Sequence, residues 1–368
     1  MTGLKDVTLR EGAQMPGLDI SDEQGRAVIE ALASLGVERV ELSFPRATPR
    51  ESWHRAAEHH GLETAALARS IPADVEAALA VEPDEIEIII TTSAVQLEHA
   101  LGESREAAET MMREAVELAA DGGVRVGVTL MDAIRADRDV LDSYAETAAV
   151  AGASHVTVAD TTGAGDPSSV AETVRGVVET VGHGVDVTIH PHDDMDVGAA
   201  NAKAGVEAGA DSVDATVGGL GERAGNAPLE AVAVLLAEHG DPFDIDHEQL
   251  TPVCRRVHEL LDVPLDPTTP VIGEAVHRHE SGLHTAAMLR DPTAYEGFDP
   301  TRYGADRHLL FGHGTGSGAV RAMLADAGIE PTDDTIARAL DAIQEAATDR
   351  GEPLAEQEAR EIVHEHVE

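Results

Sequence analysis

Residues 104–131 read SREAAETMMREAVELAADGGVRVGVTLM and contain one complete repeat of the fold. Ser104 is a helix-capping residue type, and the stretch from there to Ala120 carries a helical pattern. Gly122 and Gly123 interrupt it, and Val124–Met131 follows as a short β-branched run. Runs of the same kind recur at Asp6–Leu9, Val37–Phe44, Thr64–Ala68, Glu85–Thr92, His155–Ala159, Asp186–His190 and Ser212–Val217. Each is bounded by Gly, Asp or Pro and followed by a helical pattern. Ser21–Leu35 is one such helix, opened by the cap residue Ser21. Another starts near Pro167, where the missing N–H is tolerated. Strand–helix alternation repeated eight times within about 240 residues predicts a (β/α)8 TIM barrel, which typically needs ~250 residues. A doubly wound sheet is the alternative, and it would carry a Gly-rich dinucleotide turn after the first strand. Arg10-Glu11-Gly12-Ala13-Gln14 does not match that pattern.

After residue 240 the texture changes. Asp241–Pro270 holds five prolines and reads as a connecting arm with a short helix around Val253–Leu261. Residues 271–368 contain helical patterns at Asp334–Ala347 and Leu354–His366 and no further strand–helix repeats. The expected organisation is therefore a 1–240 barrel, a 241–270 arm and a small, mostly helical 271–368 subdomain.

Composition removes several function classes. Asp+Glu number 69 against 26 Lys+Arg, a net charge of −43, and only Lys5 and Lys203 are lysines. So negative a surface repels phosphate backbones, which excludes a nucleic-acid binder. No apolar stretch approaches the ~20 residues that span a bilayer. MTGLKDVTLREG lacks the basic start and apolar run of a signal peptide. A lone Cys254 rules out an intrachain disulfide framework and a cysteine-cluster metal site. Aromatics are 2% of the chain, so the core must be built from Ala, Val, Leu and Ile. Apolar periodicity argues against disorder. The expectation is a folded cytoplasmic protein whose lysine-poor carboxylate coat suits a salt-rich cell interior.

In a (β/α)8 barrel, catalytic residues come from the C-terminal strand ends. Here those ends carry Arg10-Glu11, Glu41, Arg69, Asp160-Thr161 and His190-Pro191-His192, and Gly218–Asn226 follows the eighth. His190 and His192 sit at i and i+2 on a strand, so both imidazoles can face one ion. With a carboxylate such as Glu11 they make a divalent-cation site; waters and hard ligands favour Mg or Mn, and imidazole character favours Zn. Arg10 at such a mouth suits a substrate carboxylate or an enolate oxygen. Thr161 can help clamp the same carboxylate, or serve only as a helix cap. The Gly218–Asn226 loop lacks the Lys-Ser/Thr end of a P-loop. His277, His279, Glu280 and His284 taken alone read as a polar helix start, and the Gly312–Gly318 loop has no assignable ligand.

These residues fall into four motifs that resemble a known family. They are Thr8-Leu9-Arg10-Glu11-Gly12-Ala13-Gln14, His190-Pro191-His192-Asp193-Asp194, Gly219-Leu220-Gly221-Glu222-Arg223-Ala224-Gly225-Asn226 and His279-Glu280-Ser281-Gly282-Leu283-His284. Over nearly its whole length the chain resembles the metal-dependent acyl-CoA Claisen-condensing barrels. These are homocitrate, 2-isopropylmalate and citramalate synthases, relatives of 3-hydroxy-3-methylglutaryl-CoA lyase. The resemblance implies that Glu11, His190 and His192 bind the divalent metal, with Asn226 near or in its shell. Glutamate at position 11, where most members carry Asp, is more like homocitrate synthases. Arg10 and Thr161, with Gln14, Glu41 and Arg69 beside them, would hold the 2-oxo acid, and acetyl-CoA would be the co-substrate. Glu222, His284 and Tyr295 would be the acid–base groups, the last two reaching a neighbouring subunit's barrel in a homodimer. The implied reaction abstracts a methyl proton of acetyl-CoA, adds the enolate to the ketone and hydrolyses the thioester.

One residue departs from the pattern. Such synthases place a glutamate near the end of the fifth strand, and here Met131 stands there, beside Asp132. A thioether accepts no proton. Either Asp132 takes over, or the acceptor pocket is unusual, or the protein is a metal-binding barrel without synthase activity. A retro-Claisen lyase would use a cysteine in a mobile glycine loop, whereas Cys254 lies in the arm. A carboxyltransferase would need a lysine at the metal after a middle strand, where neither Lys5 nor Lys203 lies. Acceptor length is expected to depend on Leu42, Ser43, Arg69, Thr91, Ser93 and Met131. The chain ends too early for a C-terminal regulatory domain, so feedback inhibition through one is not expected.

Overall fold

The computed structural model describes residues 2–366; residues 1, 367 and 368 of the expected domains lie outside that range. Eight parallel strands close into a barrel in sequential order. They are β1 (Gly3–Asp6), β2 (Arg39–Ser43), β3 (Glu63–Arg69), β4 (Glu85–Thr91), β5 (Arg125–Met131), β6 (His155–Asp160), β7 (Asp186–Pro191) and β8 (Ser212–Ala215). Closure comes from β1 against β8, with Gly3 opposite Ser212 and Leu4 opposite Val213. The helices after the strands form as their caps require. Ser21 and Gln24 make a reciprocal capping box for Asp22–Leu35, and Ser104 accepts Ala107 N–H to start Arg105–Asp121.

Successive strand residues point to opposite sides of the sheet. Ile86, Ile88, Val126, Val128, Val156, Val158, Val187 and Ile189 are fully buried, or nearly so, on the side facing the helices. The other side fills the barrel, and much of that filling is charged: Lys5, Glu41, Glu85, Glu87, His155 and Asp214 are all buried. Barrel interiors are dominated by bulky branched side chains, so this floor is unusual. Lys5 Nζ lies 3.0 Å from Glu87, 3.6 Å from Asp214, 3.8 Å from Glu41 and 3.9 Å from Glu85. Glu87 also accepts from Thr129 at 2.6 Å and Thr157 at 3.1 Å, and lies 2.8 Å from His155 Nε2. Gly127 makes room for them: a Cβ there would meet His155 Nε2 at 2.2 Å.

The first strand departs from expectation. It covers Gly3–Asp6, and Thr8–Gly12 is a helical turn where a strand was predicted to run to Leu9. The Asp6 carboxylate accepts both the Thr8 N–H and hydroxyl, at 3.0 and 2.8 Å, and turns the chain. Val7 and Leu9 are still buried, but from the turn.

The chain divides into two compact units, one ending at Leu265 and one starting at Asp266. Within the first, the helix Leu250–Leu260 packs against Asp22–Leu35. The second is mostly helical, and it also contains a small sheet ordered β11-β10-β9, from β9 (Arg278–His279), β10 (His308–Phe311) and β11 (Leu354–Ala355). Phe311, Val320, Leu324, Ile343 and Val363 are among its core residues. Among the described residues, no helix is long and apolar enough to cross a membrane.

Candidate active site

The turn Thr8–Gly12 is what aims the first motif. Thr8 Oγ1 accepts the Val217 N–H at 2.9 Å, tying the loop after β8 to the loop after β1. Arg10 and Glu11 thereby project over the barrel mouth. Arg10, Glu11, Gln14, Glu41, Thr161, His190, His192 and Glu222 line one cavity of about 150 Å³. Leu67, Ile89, Thr129, Met131, Ala159 and Asp214 complete its wall.

Glu11 Oε1 is 3.1 Å from His190 Nε2, and Asn226 Nδ2 is 3.2 Å from the same nitrogen. His190 Nδ1 is 3.1 Å from Asp214 Oδ2, so its other nitrogen is directed toward Glu11. Glu11, His190 and His192 each offer a ligand atom within 4.8 Å of the others, and all are buried. Burial works against the Glu11 charge, but Arg10 and His190 outweigh it and hold the carboxyl well below the usual range. Burial likewise opposes charge on His190, yet hydrogen bonds to Asp214 and Glu11 raise it to about 9. His192 is pushed down to about 4 by burial and by His190. His192 Nδ1 and Asn226 Oδ1 are buried without hydrogen-bond partners. A carboxylate, two imidazoles and these unpartnered acceptor atoms fit a divalent cation.

Glu85, Glu87 and His155 also converge in metal-ligand fashion. Lys5 Nζ stands 3.0 Å from Glu87 and 3.9 Å from Glu85, so the ammonium already supplies their positive charge.

The remaining sequence candidates sort by place. Arg10 is clamped between Glu11 and Glu41. Thr161 Oγ1 accepts the Asp132 N–H at 2.8 Å and keeps its own proton to donate. Glu222 is half-exposed at the rim and pairs with Arg223, which Asp194 holds at 2.9 Å. Gly225 allows the chain to fold back, since a Cβ there would lie 1.7 Å from Gly219 O. Arg69 is not in this cavity; Asp74 binds it at 2.6 and 3.2 Å beside a neighbouring one. His284 and Tyr295 belong to the second unit, their rings stacked at 3.8 Å. His284 lies on the helix Gly282–Met288, while His279 is on β9, so the histidine cluster spans two elements rather than one helix start.

Met131 lines the cavity as the fifth-strand position required. Asp132 does not replace the missing acid. Its carboxylate is spent on Arg135 at 2.8 and 2.6 Å and on the Ser93 hydroxyl. Lys5 and Asp214 were missed as site-supporting residues. Asp214 is a single acid within the run Ser212–Val217, and that interruption was the available signal.

The loop after β8 is also held from behind. Glu230 is fully buried and accepts the Gly218 N–H at 3.0 Å. Burial pushes its carboxyl from 4.5 up to about 7. The folded state thus holds this proton more tightly than the unfolded chain. Its contribution is complete below the unfolded value and declines as pH rises through the folded one. Glu230→Gln keeps the acceptor and removes the titration. The variant is expected to gain up to about 3 kcal/mol over wild type between roughly pH 5 and 8. Urea unfolding at the two pH values checks this; an equal difference at both would mean Glu230 does not titrate there.

Comparison with known proteins adds to this geometry. Residues 2–257 match the family model described as HMGL-like, and residues 271–351 match homocitrate synthase post-HMGL domain-like. The chain is 37% identical to homocitrate synthase AksA of Methanopyrus kandleri, over 97% of this chain and 90% of that protein. It is 36% identical to a probable 2-isopropylmalate synthase of the same organism, over 90% of this chain and 67% of that one. Hydroxymethylglutaryl-CoA lyase from Pseudomonas aeruginosa shares the fold, with a TM-score of 0.63 at 21% identity, covering 72% of this chain and 94% of that one.

Proposed function

This chain belongs to the HMGL-like family and is an acetyl-CoA-condensing synthase, and we propose that it joins acetyl-CoA to a 2-oxo acid at a divalent cation held by Glu11, His190 and His192. The observation that carries the site assignment is the convergence of these three with Arg10 and Thr161 in one cavity at the barrel mouth. Held by these residues, a divalent cation would supply Lewis-acid polarisation of the acceptor ketone. Arg10, already fixed by Glu11 and Glu41, presents its remaining N–H groups to the acceptor carboxylate and the developing alkoxide. The Thr161 hydroxyl donates to the same carboxylate with Gln14 beside it, and Asn226, 3.2 Å from His190 Nε2, stands near or in the cation's shell.

Met131 supplies no proton acceptor, and the family resemblance is what supports giving the proton handling to Glu222, His284 and Tyr295. His284 takes a proton from the acetyl methyl group. The new C–C bond forms at the ketone carbon, whose oxygen is then protonated. Water cleaves the thioester and CoA leaves as the thiol. Dimerisation, with active sites shared between subunits, and a cytoplasmic, saline setting belong to the same reading. The charge of −43 supports the saline setting, and the family resemblance of the segment carrying His284 and Tyr295 supports the shared sites.

Thiol release in molar KCl tests the function. Mg, Mn and Zn are crossed with pyruvate, 2-oxoisovalerate, 2-oxoglutarate and oxaloacetate. Turnover that a chelator removes is expected for at least one pair. Cation binding without thiol release for any pair would instead leave a metal-binding barrel without synthase activity.

A further inference from the structure

Two carboxylates in the wall of the mouth cavity, Glu41 and Asp214, each engage two partners. Asp214 Oδ2 lies 3.1 Å from His190 Nδ1, and Glu41 Oε1 accepts from Arg10 Nε. Their second oxygens face one cation. Lys5 Nζ lies 3.6 Å from Asp214 Oδ1 and 3.8 Å from Glu41 Oε2. Asp214 Oδ1 is buried and accepts no hydrogen bond, so the ammonium is what answers its charge. Lys5 itself is buried and is not among the residues that line the cavity.

The barrel topology dictates this meeting. β1 runs between β8 and β2, and Lys5 is paired with Asp214 on one side and Arg39 on the other. Glu41 is two residues beyond Arg39, so it turns to the same side of the sheet. One inward lysine on the middle strand therefore meets a carboxylate from each neighbour. A compact ammonium on a flexible four-carbon stem suits several acids at once. Glu85 and Glu87, the other carboxylates around it, pair with His155 instead of a residue of the mouth. A carboxylate engaged through both oxygens is fixed in orientation, and so is the side chain it holds.

We propose that Lys5 is a positioning residue that orients His190 through Asp214 and Arg10 through Glu41, so that one buried ammonium serves both cation binding and acceptor binding. The proposal rests on the reading of His190 as a cation ligand and Arg10 as the acceptor clamp. It assigns Lys5 a role in the mouth that neutralising the barrel floor does not require.

Double-mutant cycles test it. Lys5→Met is made in a Glu87→Gln background, which relieves the excess of buried negative charge, and circular dichroism verifies the fold. Manganese titration followed by electron paramagnetic resonance reads the His190 branch. Calorimetric affinity of the manganese-loaded protein for pyruvate and 2-oxoglutarate reads the Arg10 branch. Lys5→Met should weaken manganese and the tighter-binding acid about tenfold each. With Asp214→Asn already present, Lys5→Met should change manganese affinity by no more than about twofold and still weaken the acid. With Glu41→Gln present, the pattern should reverse. Unchanged affinities in Lys5→Met, or a loss on one branch only, would overturn the proposal. So would losses that persist undiminished in both backgrounds, since Lys5 would then act on the fold as a whole. Manganese binding without binding of either acid would refute the acceptor clamp and the double role with it. Absence of manganese binding in wild type would refute the cation reading. The ring-nitrogen resonances of His190 in the cation-free protein then decide: if Lys5→Met leaves them unmoved, Lys5 does not orient His190.

Discussion

Lys5→Met is expected to lower the free energy of unfolding by about 3–5 kcal/mol, because it leaves buried carboxylates without their counter-charge. Lys5 is 2% exposed, and four carboxylates lie within 3.9 Å of its ammonium. Burial opposes its charge, but Asp214, Glu87, Glu41 and Glu85 prevail and keep it protonated far above the usual lysine range. Methionine fills similar volume, so the loss is electrostatic rather than a cavity effect. Glu87 would keep Thr129, Thr157 and His155, whereas Asp214 and Glu41 would each lose one cation and keep only His190 and Arg10. Urea unfolding at fixed KCl measures the loss. Adding Glu87→Gln should restore part of the stability, so the pair should cost less than the sum of its parts. If Lys5→Met unfolds like wild type, the ammonium does not organise the barrel floor.

That floor is also where sequence reading reached its limit. Glu85-Ile86-Glu87-Ile88 alternates strictly, and alternation ordinarily marks a strand with one face in water. Here the charged face turns inward, and only closure of the eight strands brings Lys5 and His155 to meet it. The boundaries of the strand itself were legible: Glu85–Thr92 was expected and Glu85–Thr91 is observed. β5 and β7 were equally clear, because β-branched runs bounded by turn residues need no tertiary information. The first strand was displaced because Val7 and Leu9 are apolar and buried in either conformation. The Asp6–Thr8 hook, a local side-chain competition, decided for the turn. Strands of two to four residues in the second unit are too short to leave a period.

Within the site, period two placed His190 and His192 on one face, and the strand-end rule brought Glu11 and Glu222 near them. Arg69 follows the same rule, and its guanidinium is held by Asp74, five residues on, beside the neighbouring cavity.

Glu11→Gln is expected to abolish tight manganese binding and to lower turnover on the order of 10³-fold, the scale of losing Lewis-acid stabilisation worth several kcal/mol. The substitution keeps shape and removes the only carboxylate among the three converging ligands. It also leaves Arg10 with Glu41 alone, so the guanidinium gains freedom where the acceptor carboxylate is to be held. Asp214→Asn offers a graded comparison. Asp214 touches His190 Nδ1 at 3.1 Å and is not among the three converging residues, so on the proposed reading it would position a ligand without being one. Its loss should weaken manganese affinity about 10–100-fold, and thiol release should return when manganese is raised to match. Glu11→Gln should not be rescued in that way. Manganese titration followed by electron paramagnetic resonance separates the two variants without any turnover. Wild-type affinity in Glu11→Gln would move the cation away from this cavity. Equal, unrescued losses in both would mean that Asp214 acts on the fold of the mouth rather than on the orientation of His190.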